Sequence, residues 1–318
     1  MISDATLNLS YTNTSDFFYI SNMGHDEEFS PQIIVADGKT FYDGLGHSYS
    51  GNITDSADDL AGKILRPFDY LLLADNNDNA DVIANHAGST IPVALQGRTL
   101  WKDGDWNTIV LPFNLASLTD TPLEGATVKA LTSTAFADGT LTLNFTEDDN
   151  NLSSIEAGKP YIIKWDKPAN YVAYNGKNAA SCSDLVNPVF TGVTISDATN
   201  NVTTDYVTFC GTYDPVTWTE EDKSILFLGA ANTLYYPQNG ASLGACRAYF
   251  QLTNPTTNVR EFNLNFNEEE TTSLSEELRI KSEERADAAW YTINGVKLDS
   301  KPSSKGIYIH GGRKVVIK

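Results

Sequence analysis

Apolar and polar residues alternate in short runs along most of the chain, and this pattern predicts strands rather than helices. In GTLTLNFT, Leu141, Leu143 and Phe145 fall on one face, while threonine and asparagine side chains fall on the other. Residues 260–266, REFNLNF, repeat the same alternation. A period of two residues is expected of a strand that has one buried and one solvated side. The sequence therefore predicts sheets that cover a core with one face.

The distribution of these runs divides the chain into four segments. Residues 1–95 are predicted to form a β-rich N-terminal region, and residues 96–266 a β-sandwich domain. The second segment has ten strand-like runs between Gly, Asn and Asp turns, without a long helical pattern, which favours an antiparallel sandwich or a jelly-roll-like fold. Residues 267–289 are interpreted as an acidic linker, and residues 290–318 as a small C-terminal β unit. The predicted fold class is all-β.

Composition and charge argue against two classes of partner. With 41% hydrophobic residues among 318, the chain has enough apolar side chain for a real core. Its 22 basic and 41 acidic residues give a net charge of −19, so a nucleic acid or an anionic membrane surface would be repelled. No apolar run approaches the roughly 18 residues that cross a bilayer, and membrane insertion is not expected either.

The three cysteines lie far apart and show no spacing that is typical of a metal or redox site. At most one disulfide could form among Cys182, Cys210 and Cys246. Cys210 and Cys246 lie in strand-like runs, where a cysteine usually acts as a small buried hydrophobe. Buried thiols are therefore the favoured interpretation, and a bridge is the alternative.

A long series of motifs resembles a known type of module. The motifs follow one another as GRTLWKDGDWNTIVLPFNL, PLEGATVKAL, GTLTLNFTE, IEAGKPYIIKW, FTGVTI, VTFCGTYDPV, DKSILFLGAANTLYYP and LGACRAYFQL. Their order is similar to a β-rich module near the C-termini of cell-surface and adhesin-like proteins of Bacteroidetes, in particular Bacteroidales. The resemblance covers about residues 70–266, and nothing comparable is found for residues 1–69. The closing stretch GIYIHGGRKVVIK resembles the short C-terminal sorting-like β domains of the same phylum.

This resemblance implies a non-enzymatic protein that works at the cell surface, at the outer membrane or outside the cell. The family offers no catalytic residues that could be carried over to this chain. Met1 is followed by ISDATLNLS, which is not the basic and then apolar sequence of an export signal. The interpretation therefore expects the chain to be a fragment of a longer exported protein.

One polar run is a candidate metal site. Asp75, Asn77, Asn79 and Asp81 offer oxygen ligands at alternate positions, which suits a hard cation such as calcium. The run departs from the EF-hand pattern, because Ala80 occupies the position of its glycine. An ordinary Asx-rich turn is the alternative. Calcium is the only cofactor that the sequence suggests, and otherwise none is expected.

Several aromatic residues are candidates for a flat surface on which sugar rings stack. The residues proposed for ligand binding are Trp101, Trp218, Tyr235 and Tyr236. Trp106 begins the strand-like run WNTIVLPF, and packing in the core accounts for it better. Trp101 lies among the polar residues of WKDGD and is predicted to be exposed.

Three functions remain open at this point, and the first is favoured. It is a non-enzymatic cell-surface or secreted protein of adhesin or presentation type that binds glycans or extracellular proteins of a host or the environment. The alternative is a glycan-binding module, and the further alternative is a carbohydrate-active enzyme, which needs two carboxylates held across a cleft. Residues 240–244, GASLG, match the G-x-S-x-G elbow of hydrolases, but a strand-like run follows where a helix is needed. No catalytic residue is therefore predicted.

Overall fold

The computed structural model confirms the all-β class, with 40% of the residues in strands and 5% in helices. The chain divides into two compact units, Met1–Phe266 and Asn267–Lys318, and the first contains both the predicted N-terminal region and the predicted sandwich domain. The predicted acidic linker lies outside the described residues. In the first unit, the structure describes residues 6–12, 18–19, 32–54, 60, 63–146, 152–253, 259 and 261–266. In the second unit, it describes the backbone of the strands.

The N-terminal part of the first unit has a small core of its own. Its strands are β1 (Thr6–Leu9), β2 (Phe18–Tyr19), β3 (Gln32–Val35), β4 (Phe41–Tyr42), β5 (Ser48–Tyr49) and β6 (Ile64–Leu65). β1 pairs in parallel with β3, whereas β2 pairs with β6 and β4 with β5 in antiparallel ladders. Alternate residues of β3, Ile33 and Val35, are fully buried and cluster with Leu9, Phe41 and Leu60. The period-two pattern of QIIV therefore places one face of β3 in this core.

Asp43 holds the turn between β4 and β5. Its side chain is fully buried and accepts hydrogen bonds from the backbone N–H groups of Leu45 and His47, at 2.8 and 3.2 Å. Its other oxygen lies 2.9 Å from His47 Nδ1, 3.1 Å from the Tyr49 hydroxyl and 3.2 Å from Lys63 Nζ. Burial by itself would raise the pKa of Asp43, but these donors outweigh it and hold the pKa below its usual value. An ionised carboxylate thus joins the hairpin to the segment before β6.

Two further sheets enclose the next core. The strands of the first sheet, in spatial order, are β16 (Val189–Phe190), β8 (Val93–Gln96) and β7 (Leu71–Ala74), and those of the second are β10 (Asn107–Ile109), β14 (Tyr161–Lys164) and β11 (Thr127–Lys129). Ile109, Phe113, Ile163 and Phe190 are among the buried residues that fill this core. β9 (Thr99–Leu100) and β15 (Leu185–Val186) form a short antiparallel ladder. In the chain, β9 comes directly before β10, and β15 comes directly before β16.

Strands β7 and β8 are parallel, and helix α1 (Ala80–His86) connects them. Parallel neighbours need a crossover of this kind, because a tight turn joins only antiparallel strands. Ile83 is the residue through which α1 enters the core. The sequence of residues 75–81 predicted a calcium site or an Asx-rich turn, and not this helix, since a helix of two turns is too short to show a helical period.

The third core lies between a sheet of three strands and a sheet of five, which gives this part of the unit a sandwich-like character. The smaller sheet contains β12 (Leu131–Ala137), β13 (Thr140–Phe145) and β24 (Glu261–Asn265), in this order. The larger contains β17 (Val202–Thr203), β18 (Val207–Thr212), β23 (Arg247–Leu252), β20 (Ile225–Leu228) and β21 (Leu234–Tyr235). Leu141, Leu143 and Phe145 are buried on one face, as predicted, and pack in a cluster with Phe209 and Phe250.

The sheets are mostly antiparallel, in keeping with the antiparallel sandwich predicted for residues 96–266, although three ladders among the described strands of the unit are parallel. Besides the β1–β3 and β7–β8 pairs, β24 pairs in parallel with β13. The remaining short elements of the unit are a ladder of β19 (Val216–Thr217) with β22 (Ser242–Leu243) and a 3-10 turn, η1 (Ala230–Asn232). Ser242 lies in β22, and the strand-like run after it forms β23 rather than the helix that a hydrolase elbow needs.

The second unit contains one antiparallel sheet of four described strands. Their spatial order is β26 (Lys297–Leu298), β25 (Trp290–Thr292), β27 (Gly306–His310) and β28 (Arg313–Ile317). The runs IYI and VVI, interpreted as strands from the sequence, lie in β27 and β28.

Candidate binding cleft

A cleft of about 600 Å³ opens where β10 and β23 meet. The Ala248 N–H donates to Thr108 Oγ1 at 3.1 Å, and both residues line the cleft. The other lining residues come from residues 98–107, 167–173 and 228–230 and from Leu243 and Arg247. The volume lies within the roughly 300–1,000 Å³ that is usual for sites of small molecules. Because Trp101 is its most exposed aromatic residue, we name it the Trp101 cleft.

Asn107 fixes the backbone of Trp101 from both sides. The Trp101 N–H donates to Asn107 Oδ1, and Asn107 Nδ2 donates to the Trp101 carbonyl, both at 2.9 Å. Asn107 itself is buried in β10, whereas Trp101 is 40% exposed. The exposure of Trp101 confirms the sequence prediction, and so does the burial of Trp106 at 5%. The buried Asn107 amide thus fixes the backbone that carries the exposed indole. A fixed backbone loses less conformational entropy when a ligand binds.

Asp184 joins this segment to the next wall of the cleft. Its Oδ1 accepts hydrogen bonds from the Lys102 N–H at 2.8 Å and the Tyr171 hydroxyl at 2.9 Å, and its Oδ2 accepts one from the Tyr174 N–H at 2.7 Å. Burial, and then the Asp184 carboxylate, raise the pKa of Tyr171, so the phenol keeps its proton and continues to donate. A single buried carboxylate therefore sets the distance between the Trp101 segment and the Tyr171 segment.

We expect the Asp184→Ala variant to lose about 2–4 kcal/mol of unfolding free energy, because three donors lose a charged acceptor. Urea denaturation followed by circular dichroism measures the loss. Asp166→Asn is the matched control, since Asp166 is an exposed aspartate close to the same wall. Equal stability of the two variants would show that Asp184 does not hold the wall.

Another part of the lining, residues 228–230, leads into η1, which two more side chains hold. Asp105 Oδ2 accepts a hydrogen bond from the Ala231 N–H at 2.8 Å, and the Trp106 N–H donates to Asn232 Oδ1 at 2.7 Å. Ala231 and Asn232 both have φ of 54°, in the left-handed region that costs free energy for residues other than glycine. Such a conformation persists where neighbouring bonds enforce it, and it is concentrated at binding and catalytic sites.

Basic residues also line the cleft. Arg247 forms an ion pair with Asp75, and a Cβ atom at Gly244 would contact both of these side chains. Lys167 is exposed, and its Nζ lies 4.9 Å from the centre of the Tyr171 ring. The cleft thus combines aromatic, acidic and basic side chains on a fixed backbone.

The structure separates the other residues that were proposed for ligand binding. Trp218 and Tyr235 pack against the ring of Phe227 with interplanar angles of 77° and 86°. Tyr236 packs on the third core, between the two sheets of the sandwich. These residues and Trp101 therefore do not form the flat surface that was predicted. Tyr235 is 48% exposed, whereas Tyr236, just after β21, meets the edge of the Phe262 ring at a centroid distance of 5.9 Å, so the two rings do not share one surface.

The geometry gives no support to the predicted calcium site. Asp75 is paired with Arg247, and Asn79 is buried, where its Nδ2 donates to the Ala74 and Tyr213 carbonyls at 3.0 and 2.7 Å. The Asn79 N–H donates to Asp214 Oδ1 at 2.8 Å at the start of α1. Asn77 and Asp81 are exposed. Among the described residues, no three His, Cys, Asp or Glu side chains are grouped so that they could hold a metal ion.

The cysteines are free thiols, and Cys210 and Cys246 are buried as predicted. Burial raises the pKa of Cys246 to about 12, so this thiol is not a nucleophile at neutral pH. Cys182 is half-buried.

Sequence reasoning missed the residues that shape the cleft. Asn107 and Asp184 are polar residues next to turns, and nothing in their immediate sequence distinguishes them from solvated ones. The one available signal was the apolar context of Asn107, within WNTIVLPF, where a buried amide needs partners.

Comparisons with known protein families, with curated proteins and with solved structures find no match for this chain. The resemblance to a Bacteroidetes surface module therefore stays a prediction. Within the part of the chain that the structure describes, no helix is both long and apolar enough to span a membrane.

Proposed function

We propose that this chain is a non-enzymatic recognition protein of adhesin or presentation type, and that its Trp101 cleft binds a saccharide. The observation that carries the proposal is an indole, 40% exposed, in the lining of a cleft of about 600 Å³. The C–H faces of sugar rings pack on flat aromatic surfaces, and a few placed polar groups fix their orientation. Asn107 fixes the backbone of Trp101, from which the indole extends.

The polar residues of the cleft suit the hydroxyl groups of a sugar. Asp103 is half-buried and uses Oδ1 to accept the Asp105 N–H at 3.0 Å. Lys167 and Tyr171 line the facing segment. A sugar hydroxyl both donates and accepts hydrogen bonds. The carboxylate of Asp103 can accept from it, and the ammonium group of Lys167 can donate to it.

A carbohydrate-active enzyme is the second candidate, since Asp103 and Asp105 are two carboxylates in one cleft. Glycosidases hold their carboxylates roughly 5–10 Å apart on either side of the bond that breaks. Here both residues belong to the same turn, and Asp105 already holds the Ala231 N–H. This arrangement favours binding over hydrolysis.

A location at the cell surface or outside the cell is part of the proposal. It is supported by the sequence resemblance to Bacteroidetes surface proteins and by an acidic, β-rich composition with a net charge of −19. Glycans and extracellular proteins are the partners that such a location offers.

The test is a binding screen of the purified chain on an array of host and dietary glycans and extracellular-matrix proteins, in calcium and in chelator. We expect saturable binding to a glycan that weakens by about tenfold or more in the Trp101→Ala variant, as for other central aromatic contacts. Tyr235→Ala is the matched control, because Tyr235 is an exposed aromatic residue, at 48%, that does not line the cleft.

Each other outcome changes the proposal in a defined way. If Tyr235→Ala lost binding and Trp101→Ala kept it, the site would lie on the surface beside Phe227. Binding to proteins alone would keep the adhesin function and reject the saccharide. Turnover of a bound glycan would establish the enzyme instead.

A further inference from the structure

Arg98 lines the Trp101 cleft without a carboxylate partner among the described residues. It is 5% exposed, and its Nη2 donates to the Thr108 carbonyl at 2.6 Å. Its Nε is buried and has no hydrogen-bond partner in the described part of the chain. A guanidinium group has five N–H donors, so one carbonyl leaves most of its hydrogen-bonding capacity unused.

Burial of such a group is unfavourable unless something compensates its charge. Removing an ion from water costs several kcal/mol even after the protein relaxes. Desolvation, and then the neighbouring Arg247, lower the pKa of Arg98 to about 9, while Asp75 acts in the opposite direction. Cys246 lies near both arginines and is a thiol rather than a thiolate, because burial raises its pKa.

Counted with Asp75, the three basic and three acidic side chains at the cleft balance in number, but Arg98 has no carboxylate partner among the described residues. Asp75 is the ion-pair partner of Arg247, and this pair is neutral together. Arg98 therefore remains as a positive charge, and Lys167 adds a second one in the same lining. Asp103 and Asp105 also line the cleft, and Asp105 already accepts a hydrogen bond from the Ala231 N–H.

We infer that the Trp101 cleft takes an anionic group and that its ligand is an acidic saccharide whose carboxylate or sulfate pairs with Arg98 and Lys167. This inference rests on the proposed function, because it assigns the charge of the saccharide that the cleft binds. The sugar ring packs on Trp101, and the acidic substituent supplies the acceptor that the Arg98 guanidinium lacks. Carboxylate and sulfate groups both offer two oxygens to a guanidinium, which can bind them with two N–H groups at once.

The charge of the whole chain makes this recognition selective. At a net charge of −19, the protein surface repels anions in general. An acidic saccharide gains affinity only where a basic group of the cleft is within contact distance. Its neutral counterpart would leave Arg98 buried and unpaired, which is the unfavourable state.

The experiment compares matched pairs of oligosaccharides by isothermal titration calorimetry. Oligogalacturonate and its methyl ester differ in carboxylate charge, and sulfated and neutral galactan oligosaccharides differ in sulfate. We expect the acidic member of one pair to bind at least about tenfold more tightly, and the favoured pair identifies the acidic group. The preference is expected to shrink in Arg98→Met and in Lys167→Gln and to persist in Lys177→Gln, an exposed lysine outside the cleft.

A stability measurement separates a binding role of Arg98 from a structural one. We expect ligand-free Arg98→Met to melt at or above the temperature of the wild type, because a methionine of similar length removes an unpaired buried charge. A marked fall in its melting temperature, with the acidic preference intact in Lys167→Gln, would overturn the inference.

The remaining outcomes distinguish this inference from the proposed function. Equal affinity for the acidic and neutral members, lost in Trp101→Ala, would overturn the anionic preference and leave saccharide binding in place. No binding by any of the four oligosaccharides would overturn the anionic preference for these sugars, and a negative glycan array would overturn the proposed function as well. Acid-selective binding that survives Trp101→Ala would support the anion site and reject stacking on the indole.

Discussion

Replacing Asp43 by alanine is expected to lower the unfolding free energy of the first unit by about 3–5 kcal/mol, because five donors lose a fully buried, charged acceptor at once. The Asp43 carboxylate is fully buried and accepts from two backbone N–H groups, from His47 and Tyr49 side chains and from Lys63. The variant leaves these donors, beside the N-terminal core, without their shared acceptor. Urea denaturation at pH 7 measures the loss.

The Asp43→Asn variant tests the direction in which the pKa of Asp43 is shifted. A carboxylate whose folded pKa lies below its usual value stabilises the protein above the unfolded pKa of about 3.9, and this contribution is lost as the pH falls through the folded pKa. The difference in stability between the wild type and Asp43→Asn should therefore be full at about pH 5 and shrink below about pH 4. Asp37→Asn, at an exposed aspartate, is the control. A difference that does not change with pH would contradict the assignment of Asp43 as the ionised centre of this network.

Phe250→Ala is expected to cost about 3–5 kcal/mol, which is the usual range for deleting a buried phenylalanine ring. Phe250 is fully buried in β23, at the centre of the larger sheet. Its ring stacks on Phe209 at a centroid distance of 4.4 Å and meets the edge of Phe145 at 6.4 Å. The substitution removes contacts to both sheets of the sandwich and leaves a cavity between them.

Two companion variants make this prediction specific. Phe250→Leu keeps most of the volume and should cost clearly less than the alanine variant. Phe136→Ala removes a ring that is only half-buried at the margin of the same core, so its loss should also be smaller. Chemical denaturation of the three variants gives the order of their losses in unfolding free energy. If Phe136→Ala were the most destabilising, the centre of the core would lie elsewhere.

The features that the sequence predicted correctly are the local ones. The alternation in GTLTLNFT is set by strand geometry, and it placed Leu141, Leu143 and Phe145 on the buried face. The polar neighbours of Trp101 and the apolar run after Trp106 were enough to predict which indole is exposed. Each of these inferences needed only a few residues on either side.

The features that it missed depend on which distant segments meet. The ladder of β13 with β24 joins Asn144 to Asn265, whose side chains are hydrogen-bonded at 2.9 Å across 121 positions of sequence. Asp184 looks like any loop aspartate until the fold brings Lys102 and Tyr171 to it. The flat aromatic surface failed for the same reason, since composition counts rings but does not place them on one face.

The late position of β24 in the chain also bears on how the protein is made. β13 is paired with β12 on one side, and its other side is closed only by β24. Until residues 261–266 have left the ribosome, that strand edge offers unpaired N–H and C=O groups, which is a template for pairing with another chain. Closing a loop of this length is slow compared with forming a hairpin. The nascent chain therefore keeps the open edge of β13 until the first unit is nearly completed, and β24 covers it.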